Sequence, residues 1–340
     1  MKDIEGLFFC RTHDFLHVYI PKVKAGSRNT FSTYKQGMKS FRTYVNRVKG
    51  IPSNKYRFTD FTYDFLLDYR NHLHDVDGLK ETTVNNKLAV IKAYVGYASA
   101  RDVSLQQQLL AISQVPYYST PKVRQPIIED VDALAAILGM PPNTKKGLRD
   151  KTIMSTLYDS AMRVDELVSL TVGSVCMDHE DVVIRIHGKG NKERTVILDE
   201  RTSALVRQYA GEFHPERDTG APFFYTVVGG RRKHMTTRNV QKLIKKYSDK
   251  ARADYDIPES VSPHTFRRTR GTLLYRDGVD IEAVAVLLGH SDTKTTRDHY
   301  TSPSVQQLRE IANRKAEAIP ESEQLWPDDE AEMSRILGLD

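Results

Sequence analysis

The stretch Val115-Pro-Tyr-Tyr-Ser-Thr-Pro-Lys-Val-Arg-Gln-Pro126 decides how this chain is organised. It contains three prolines, which lack a backbone N–H donor and fix φ, so it disfavours both helix and sheet. We therefore predict an interdomain linker at 115–126, an N-terminal domain at 1–114, a second domain at 127–318 and a tail at 319–340. A chain of 340 residues is long enough for two domains, each with its own core.

The N-terminal domain is predicted to be a helical bundle. In residues 27–48, apolar and aromatic side chains recur at the three- and four-residue spacing of one helix face, while basic side chains fall largely off that face. Further helices are predicted near 60–74, 82–100 and 103–112. An aromatic stripe could stack on nucleic-acid bases, but at helical spacing it is more typical of a packed core.

Beyond the linker, helical patterns surround one pair of β-rich runs. Val182-Val-Ile-Arg-Ile186 and Thr195-Val-Ile-Leu198 flank Gly188-Lys-Gly-Asn-Lys-Glu193, which predicts a β-hairpin. Helices are predicted near 128–138, 146–160, 200–210, 237–252, 264–276, 281–288 and 303–317. The predicted fold class is therefore mainly α with a small β-sheet, in two domains.

The charge of the chain is unevenly distributed. The formal net charge is +6 overall, but residues 1–124 carry 19 basic and 10 acidic side chains, whereas residues 318–340 carry 1 and 7. A basic N-terminal third favours a polyanion partner. Nucleic acid is favoured over an anionic membrane, because no strongly amphipathic basic anchor is present.

Several classes of protein are excluded by composition. No apolar run approaches the ~18 residues of a membrane span, and the N-terminus carries acids where a signal peptide would be basic and then apolar. The chain has only two cysteines, Cys10 and Cys176, which are far apart in sequence. Their number excludes a disulfide framework, and they do not have the spacing of a zinc site. We therefore expect a cytoplasmic protein with neither metal nor other cofactor.

The segment Ser262-Pro-His264-Thr-Phe-Arg267 predicts a helix start that could bind an anion. Serine followed by proline is a good N-cap and first-turn pair, which would place His264 and Arg267 on one face of the first turn. Free N–H groups and the helix dipole favour a phosphate at such a terminus. Taken alone, however, the segment is better interpreted as the start of an ordinary surface helix.

Other candidate residues are also unremarkable one at a time. Asp280 and Gly289 predict the start and end of a helix, which leaves His290 at the turn. Arg163 could form a surface ion pair with Glu166, and Lys189 could be a solvated turn residue. Tyr300 is one of 17 tyrosines.

Taken together, these positions resemble the tyrosine recombinases, also called the phage integrase family. The resemblance covers about 125–303 strongly and about 14–112 more loosely. Met162 and one extra residue before Tyr300 depart from the common pattern. The motifs, in order, are Ala161-Met-Arg163-Val-Asp-Glu166-Leu, Gly188-Lys189-Gly-Asn-Lys-Glu-Arg194, His264-Thr-Phe-Arg267, Leu288-Gly-His290-Ser and Thr295-Thr-Arg-Asp-His-Tyr300.

The resemblance implies a division of chemical roles. Tyr300 would attack a DNA phosphodiester and form a 3′-phosphotyrosyl bond, while Lys189, with Lys192 as the alternative, would protonate the departing 5′ oxygen. Charge that develops on the phosphate would be stabilised by two guanidinium groups and by one or both imidazoles. Glu166 would orient the arginines. The predicted catalytic residues are Arg163, Lys189, His264, Arg267, His290 and Tyr300.

The implied function is site-specific strand exchange between double-stranded DNA sites. Two domains would clamp the duplex, and a homotetramer would join two sites through a Holliday junction, with accessory DNA-bending proteins as possible partners. The acidic tail would either fold back on its own domain or dock on a neighbouring protomer, and the resemblance favours the second alternative. A type IB topoisomerase and a non-catalytic DNA-binding regulator are the alternatives. Fewer than about 27 residues precede the first predicted helix, too few for a separate arm-binding domain.

Overall fold

The computed structural model describes residues 6–23, 28–121, 125–178, 180–187, 193–289 and 329–338. The chain folds into two compact units, and the boundary between them falls between Gln125 and Pro126. Each unit has its own buried apolar cluster. The predicted fold class, mainly α with small sheets in two units, is confirmed.

Within its described residues, the first unit is built from helices, with one isolated β-bridge between Leu7 and Arg57. The principal helices lie near the predicted positions, and two of them continue into wider π-type turns, at Tyr44–Val48 and at His72–Val76. Short 3-10 turns occur at Phe58–Asp60 and Val103–Leu105. The α-helices are α1 (Thr12–Asp14), α2 (Arg28–Thr43), α3 (Tyr63–Asn71), α4 (Glu81–Ser99) and α5 (Gln106–Ser113).

The aromatic stripe of the first unit forms its core, as its spacing predicts. Phe41 and Tyr44 are buried, and the ring of Phe8 lies at the centre of the cluster, 4.8 Å from that of Phe61. One segment was not predicted: α1 continues as a π-helical segment, Phe15–Val23, which contains Pro21. Proline and an irregular helical repeat obscure the apolar period there, although the segment contributes to the core.

The first part of the proline-rich stretch packs on the first unit. The side chain of Asn85 accepts from Tyr118 N at 2.8 Å and donates to Tyr118 O at 2.9 Å. Lys92 Nζ donates to Val115 O at 2.6 Å, and Val115 is buried. The first part of the predicted linker therefore packs on the first unit, because side chains from α4 replace the backbone hydrogen bonds that prolines prevent.

The second unit combines helices with two small antiparallel sheets. Its helices are α6 (Val131–Gly139), α7 (Lys145–Asp159), α8 (Val164–Ser169), α9 (Glu200–Phe213), α10 (Thr237–Ala251), α11 (Pro263–Arg276) and α12 (Ile281–Leu288). Its strands are β1 (Val175–Cys176), β2 (Val183–His187), β3 (Glu193–Ile197), β4 (Tyr225–Val228) and β5 (Arg231–His234). The predicted helix near 303–317 lies outside the described residues.

The predicted hairpin is the β2–β3 pair of a three-stranded sheet. Its register opposes Ile184 to Val196 and Ile186 to Arg194, and β1 adds to the other edge of β2. Strand β1 and the β4–β5 hairpin were not predicted. β1 has only two residues, and β5 is exposed and polar throughout, so neither presents the alternation that marks a half-buried strand.

The C-terminal tail contains a short helix. Helix α13 (Glu330–Leu337) begins after Asp329, which accepts from Ala331 N at 3.1 Å, and ends at Gly338 in the left-handed region. Within the described part of the chain, no helix combines the length and the apolar character that crossing a membrane requires.

Candidate active site

Arg163 lies in a sharp connection between α7 and α8. Ala161 adopts a left-handed backbone conformation with φ of 48°, and Met162 is buried. This turn ends α7 and makes Arg163 the N-cap residue of α8. The ion pair between Arg163 and Glu166 is present, but its carboxylate is buried rather than at the surface. Glu166 Oε2 accepts from Arg163 N at 2.8 Å, and Glu166 Oε1 accepts from Arg163 Nη1 at 3.1 Å.

The same carboxylate also receives a second arginine, from β3. Arg194 Nη1 donates to Glu166 Oε1 at 3.0 Å, and Arg194 Nη2 donates to Glu166 Oε2 at 2.7 Å. Only 6% of the Glu166 side chain is exposed. Burial by itself raises the pKa of Glu166, but the hydrogen bonds and charges of Arg194 and Arg163 outweigh it and hold that pKa below its usual value. Glu166 is therefore an anion shared by two cations.

Arg267 is held by the predicted helix start at Ser262. Ser262 Oγ accepts from Thr265 N at 3.3 Å, with Pro263 in the first turn of α11. Arg267 is only 4% exposed. Its Nη1 donates to Ala161 O at 2.5 Å, and its Nη2 donates to Leu288 O. The left-handed turn at Ala161 thus supplies an acceptor for one predicted catalytic arginine while it positions the other.

His264 lies three residues before Arg267 in the same helix. His264 has a large solvent-accessible surface, but neighbouring protein atoms remove part of the hydration of its ring. The positive charges of Arg267, Arg268 and Arg163 also disfavour a protonated, cationic imidazole. Both effects lower the pKa of His264. The imidazole is therefore neutral at pH 7, with one N–H donor and one lone pair.

The end of α12 completes the described part of the site. Asp280 caps the start of this helix, and Gly289 ends it in the left-handed region, as predicted. Arg163 Nη2 lies 3.4 Å from Gly289 O. A Cβ atom on Gly289 would lie 2.9 Å from Arg194 Nη1. Glycine is therefore favoured here both by the backbone conformation and by the close approach of Arg194.

A second buried carboxylate, that of Asp159, links α7 to α11. Asp159, at the end of α7, accepts from Arg270 Nη2 at 3.1 Å and from Asp199 N at 2.8 Å. Burial is the largest influence and raises the pKa of Asp159 to about 6. Arg268 contacts Pro126 O at 3.2 Å. Arg268 and Arg270, which follow Arg267 in α11, therefore both make contacts within the second unit.

The structure brings together Arg163, Glu166, His264 and Arg267. The predicted catalytic residues Lys189, His290 and Tyr300, and the alternative acid Lys192, lie outside the described residues. Within the described ranges, no group of three or more His, Cys, Asp or Glu side chains is arranged to hold a metal ion.

Sequence reasoning gave Arg194 no role, although a signal for one exists. Side chains alternate along a strand, so Arg194 shares the face of Val196. The strand register also opposes it to the buried Ile186. A charged residue on an apolar face requires a buried partner of opposite charge, which Glu166 provides.

Two family models match the chain. The model described as the phage integrase family matches residues 130–307, and that described as the phage integrase SAM-like domain matches residues 13–112. Similar proteins include two tyrosine recombinases. XerD of Staphylococcus epidermidis is 29% identical over 300 residues, covering 86% of this chain and 94% of XerD. XerC of Syntrophus aciditrophicus is 27% identical over 303 residues, covering 85% and 91%.

Solved structures share the fold. The XerH site-specific recombinase bound to difH substrate, in a pre-cleavage complex, has a TM-score of 0.62 at 19% identity, covering 88% of this chain and 83% of XerH. The Tn1549 transposon integrase in complex with circular intermediate DNA has a TM-score of 0.61 at 16% identity, covering 92% of this chain and 99% of that chain.

Proposed function

The chain belongs to the phage integrase family of tyrosine recombinases, DNA breaking and rejoining enzymes, and we propose that it exchanges strands between two specific DNA sites through a covalent bond to Tyr300. The roles given below to individual residues are parts of this proposal. The relatives are named as recombinases of the XerC and XerD type, and the structural neighbours are bound to DNA.

The observation that carries the proposal is the convergence of two arginines at one helix end. Arg163 contacts Gly289 O and Arg267 contacts Leu288 O, and the next residue in the chain is His290. The cluster formed by these two arginines, Arg194 and Glu166 has a net positive charge. A phosphodiester gains negative charge on its non-bridging oxygens when it is attacked, so this net positive charge stabilises the transition state more than the ground state.

The reaction itself requires a nucleophile and an acid. The Tyr300 hydroxyl attacks phosphorus, its proton passing to a base, and the bond to the 5′ oxygen breaks. Lys189 gives that oxygen a proton as it leaves, with Lys192 as the alternative donor. Neutral His264 is suited either to accept a proton or to donate one N–H to the phosphate. His290 is assigned to the same phosphate.

Because the covalent ester conserves bond energy, a 5′ hydroxyl from another strand can displace Tyr300 without ATP. We assign double-stranded DNA as the partner, clamped by the domains at 1–114 and 127–318, in a homotetramer that passes through a Holliday junction. Helix α13 is assigned to a neighbouring protomer. Whether the exchange integrates or excises a mobile element or resolves joined chromosomes, and whether DNA-bending proteins assist, depends on the target site. Inverted repeats beside the coding DNA would identify that site.

The proposal is tested with a nicked suicide duplex that traps the covalent intermediate. Wild-type protein should form an adduct that survives denaturing electrophoresis and maps to Tyr300. Tyr300→Phe should bind the same duplex and form none, because only the phenolic oxygen is removed. An adduct of the Tyr300→Phe variant that maps to another residue would contradict the assignment of Tyr300 as the nucleophile. Tight binding by wild type without any adduct would identify a non-catalytic regulator.

The topoisomerase alternative is separated by a second substrate. Wild-type protein incubated with two site-bearing DNA molecules should produce a junction that joins them. Relaxation of supercoiled DNA without any junction or exchanged product would favour the type IB topoisomerase.

A further inference from the structure

Arg194 makes the closest side-chain contacts to Glu166, yet the proposed reaction gives it no role beyond its share of the positive charge. It lies on β3, its side chain is 14% exposed, and its two terminal nitrogens both contact the Glu166 carboxylate. Such a bidentate arginine–carboxylate pair is strong and geometrically specific. Its Nε–H is buried without a hydrogen-bond partner among the described residues, so an acceptor from elsewhere would satisfy it.

The consequence concerns Arg163, which competes for the same carboxylate. Arg163 makes one side-chain hydrogen bond to Glu166, at 3.1 Å, and a long contact to Gly289 O, and 36% of its side chain is exposed. Part of its guanidinium fork is thus available to a phosphate. Without Arg194, both oxygens of Glu166 could turn to that fork and pair with it bidentately.

Arg194 also fixes the position of the helix end. Its Nη1, Cδ and Cζ atoms would lie 2.9 to 3.1 Å from a Cβ atom on Gly289, so its guanidinium packs directly against the residue that precedes His290. The residue therefore contacts two parts of the site at once, the carboxylate beside Arg163 and the end of α12.

We propose that Arg194 is a positioning residue, which occupies Glu166 so that part of the Arg163 guanidinium group stays available to bind the scissile phosphate. This inference rests on the proposed function. It makes a specific prediction that a purely structural role does not. If loss of Arg194 slows cleavage because Glu166 then pairs bidentately with Arg163, removal of the Glu166 charge should restore part of the cleavage rate.

The test measures single-turnover cleavage of the suicide duplex. Arg194→Lys, which keeps the charge but loses the planar fork, should cleave about tenfold more slowly or worse, with half-site affinity within about twofold of wild type. Combining it with Glu166→Gln should raise the rate severalfold above that of Arg194→Lys alone, because a neutral amide cannot neutralise Arg163. Arg185→Lys, at an exposed arginine on the adjacent strand β2, is the matched control and should cleave normally.

Each outcome decides the question. A wild-type rate for folded Arg194→Lys, or a double variant no faster than Arg194→Lys, overturns the inference. If Arg194→Lys is unfolded by circular dichroism, Arg194→Gln is compared with its own double variant in the same way. Unfolding of both, while Arg185→Lys folds, would make Arg194 a residue of general stability and would also overturn it. Absence of any wild-type adduct would instead contradict the proposed function.

Discussion

Arg163 and Arg267 bind neighbouring carbonyl oxygens, Gly289 O and Leu288 O, although they come from different parts of the second unit. Like charges repel, so their convergence needs compensation. The last carbonyl groups of a helix carry partial negative charge, and Glu166 adds one full charge. Compensation is incomplete, which leaves the site prepared for an anion.

We predict that Gly289→Ala will damage cleavage more than its effect on stability explains. A Cβ at this left-handed position costs about 1–2 kcal/mol and would also displace Arg194. The matched control is Gly278→Ala, whose φ is 90° and whose Cβ would meet nothing within 4 Å. Urea unfolding should show a loss of stability for both variants, whereas single-turnover cleavage should fall only for Gly289→Ala. Equal cleavage by the two variants would refute the role of the contact.

Ala161→Gly should leave the free energy of unfolding within about 1 kcal/mol of wild type. Release of left-handed strain, worth about 1–2 kcal/mol, is offset by one lost buried methyl group, about 0.8 kcal/mol, and by glycine's added entropy. Ala133→Gly, equally buried but in the regular helix α6, should lose about 1–2 kcal/mol in the same urea titration. Similar losses at both positions would show that the Ala161 turn is not strained.

The pKa of Asp159 predicts a dependence of stability on pH. Burial raises the pKa to about 6 in the folded chain, from 3.8 when unfolded, so the folded state holds this proton more tightly. The stabilisation is therefore complete below the unfolded pKa and is lost as the pH rises through about 6. The unfolding free energy of wild type, minus that of Asp159→Asn, should fall between pH 4 and pH 7. A difference that stays constant would mean that Arg270 keeps Asp159 ionised throughout.

Lys189→Ala should slow cleavage severely on an ordinary phosphodiester and much less on a 5′-bridging phosphorothiolate. A thiolate leaves without protonation, so the sulfur substrate bypasses a missing acid. Rates on the two substrates separate proton donation from DNA binding. If both rates fall equally, Lys189 is an electrostatic contact, and Lys192→Ala is the next variant to compare.

DNA affinity should depend steeply on salt, with log K falling by about 0.9 per neutralised phosphate for each tenfold rise in salt. Lys39 and Arg42 lie exposed on α2 of the basic first unit. Lys39→Gln and Arg42→Gln should each lower that slope by about 0.9 if the residue contacts a phosphate. Lys145→Gln, at an exposed residue that pairs with Glu212, is the control. If neither Lys39→Gln nor Arg42→Gln changes the slope, these two residues of α2 do not contact DNA phosphates.

Elements with a strong local repeat were predictable from sequence. The amphipathic pattern of 27–48 predicted α2, and the Ser262 and Asp280 caps predicted the starts of α11 and α12, because these signals depend on adjacent residues. The β4–β5 hairpin has little apolar alternation, and its pairing could not be read from its own residues.

The site was predictable only in part, for a similar reason. Local motifs predicted Arg163, His264 and Arg267, which the structure brings together, and the short spacing from Arg163 to Glu166 predicted their ion pair. The Arg194–Glu166 pair spans 28 positions, and its formation depends on how β3 packs beside α8. The left-handed conformation of Ala161 was likewise hidden, because alanine rarely adopts it.

The register of the β2–β3 hairpin restricts how the length of this chain can vary in evolution. Ile186 faces Arg194 across the two strands, and successive side chains of a strand point to opposite faces. Deletion of one residue within β3 would turn Arg194 to solvent and send a neighbour inward. Residues added between His187 and Glu193 would leave that pairing intact. Homologues should therefore differ in the length of the segment that bears Lys189 while keeping the spacing along β3.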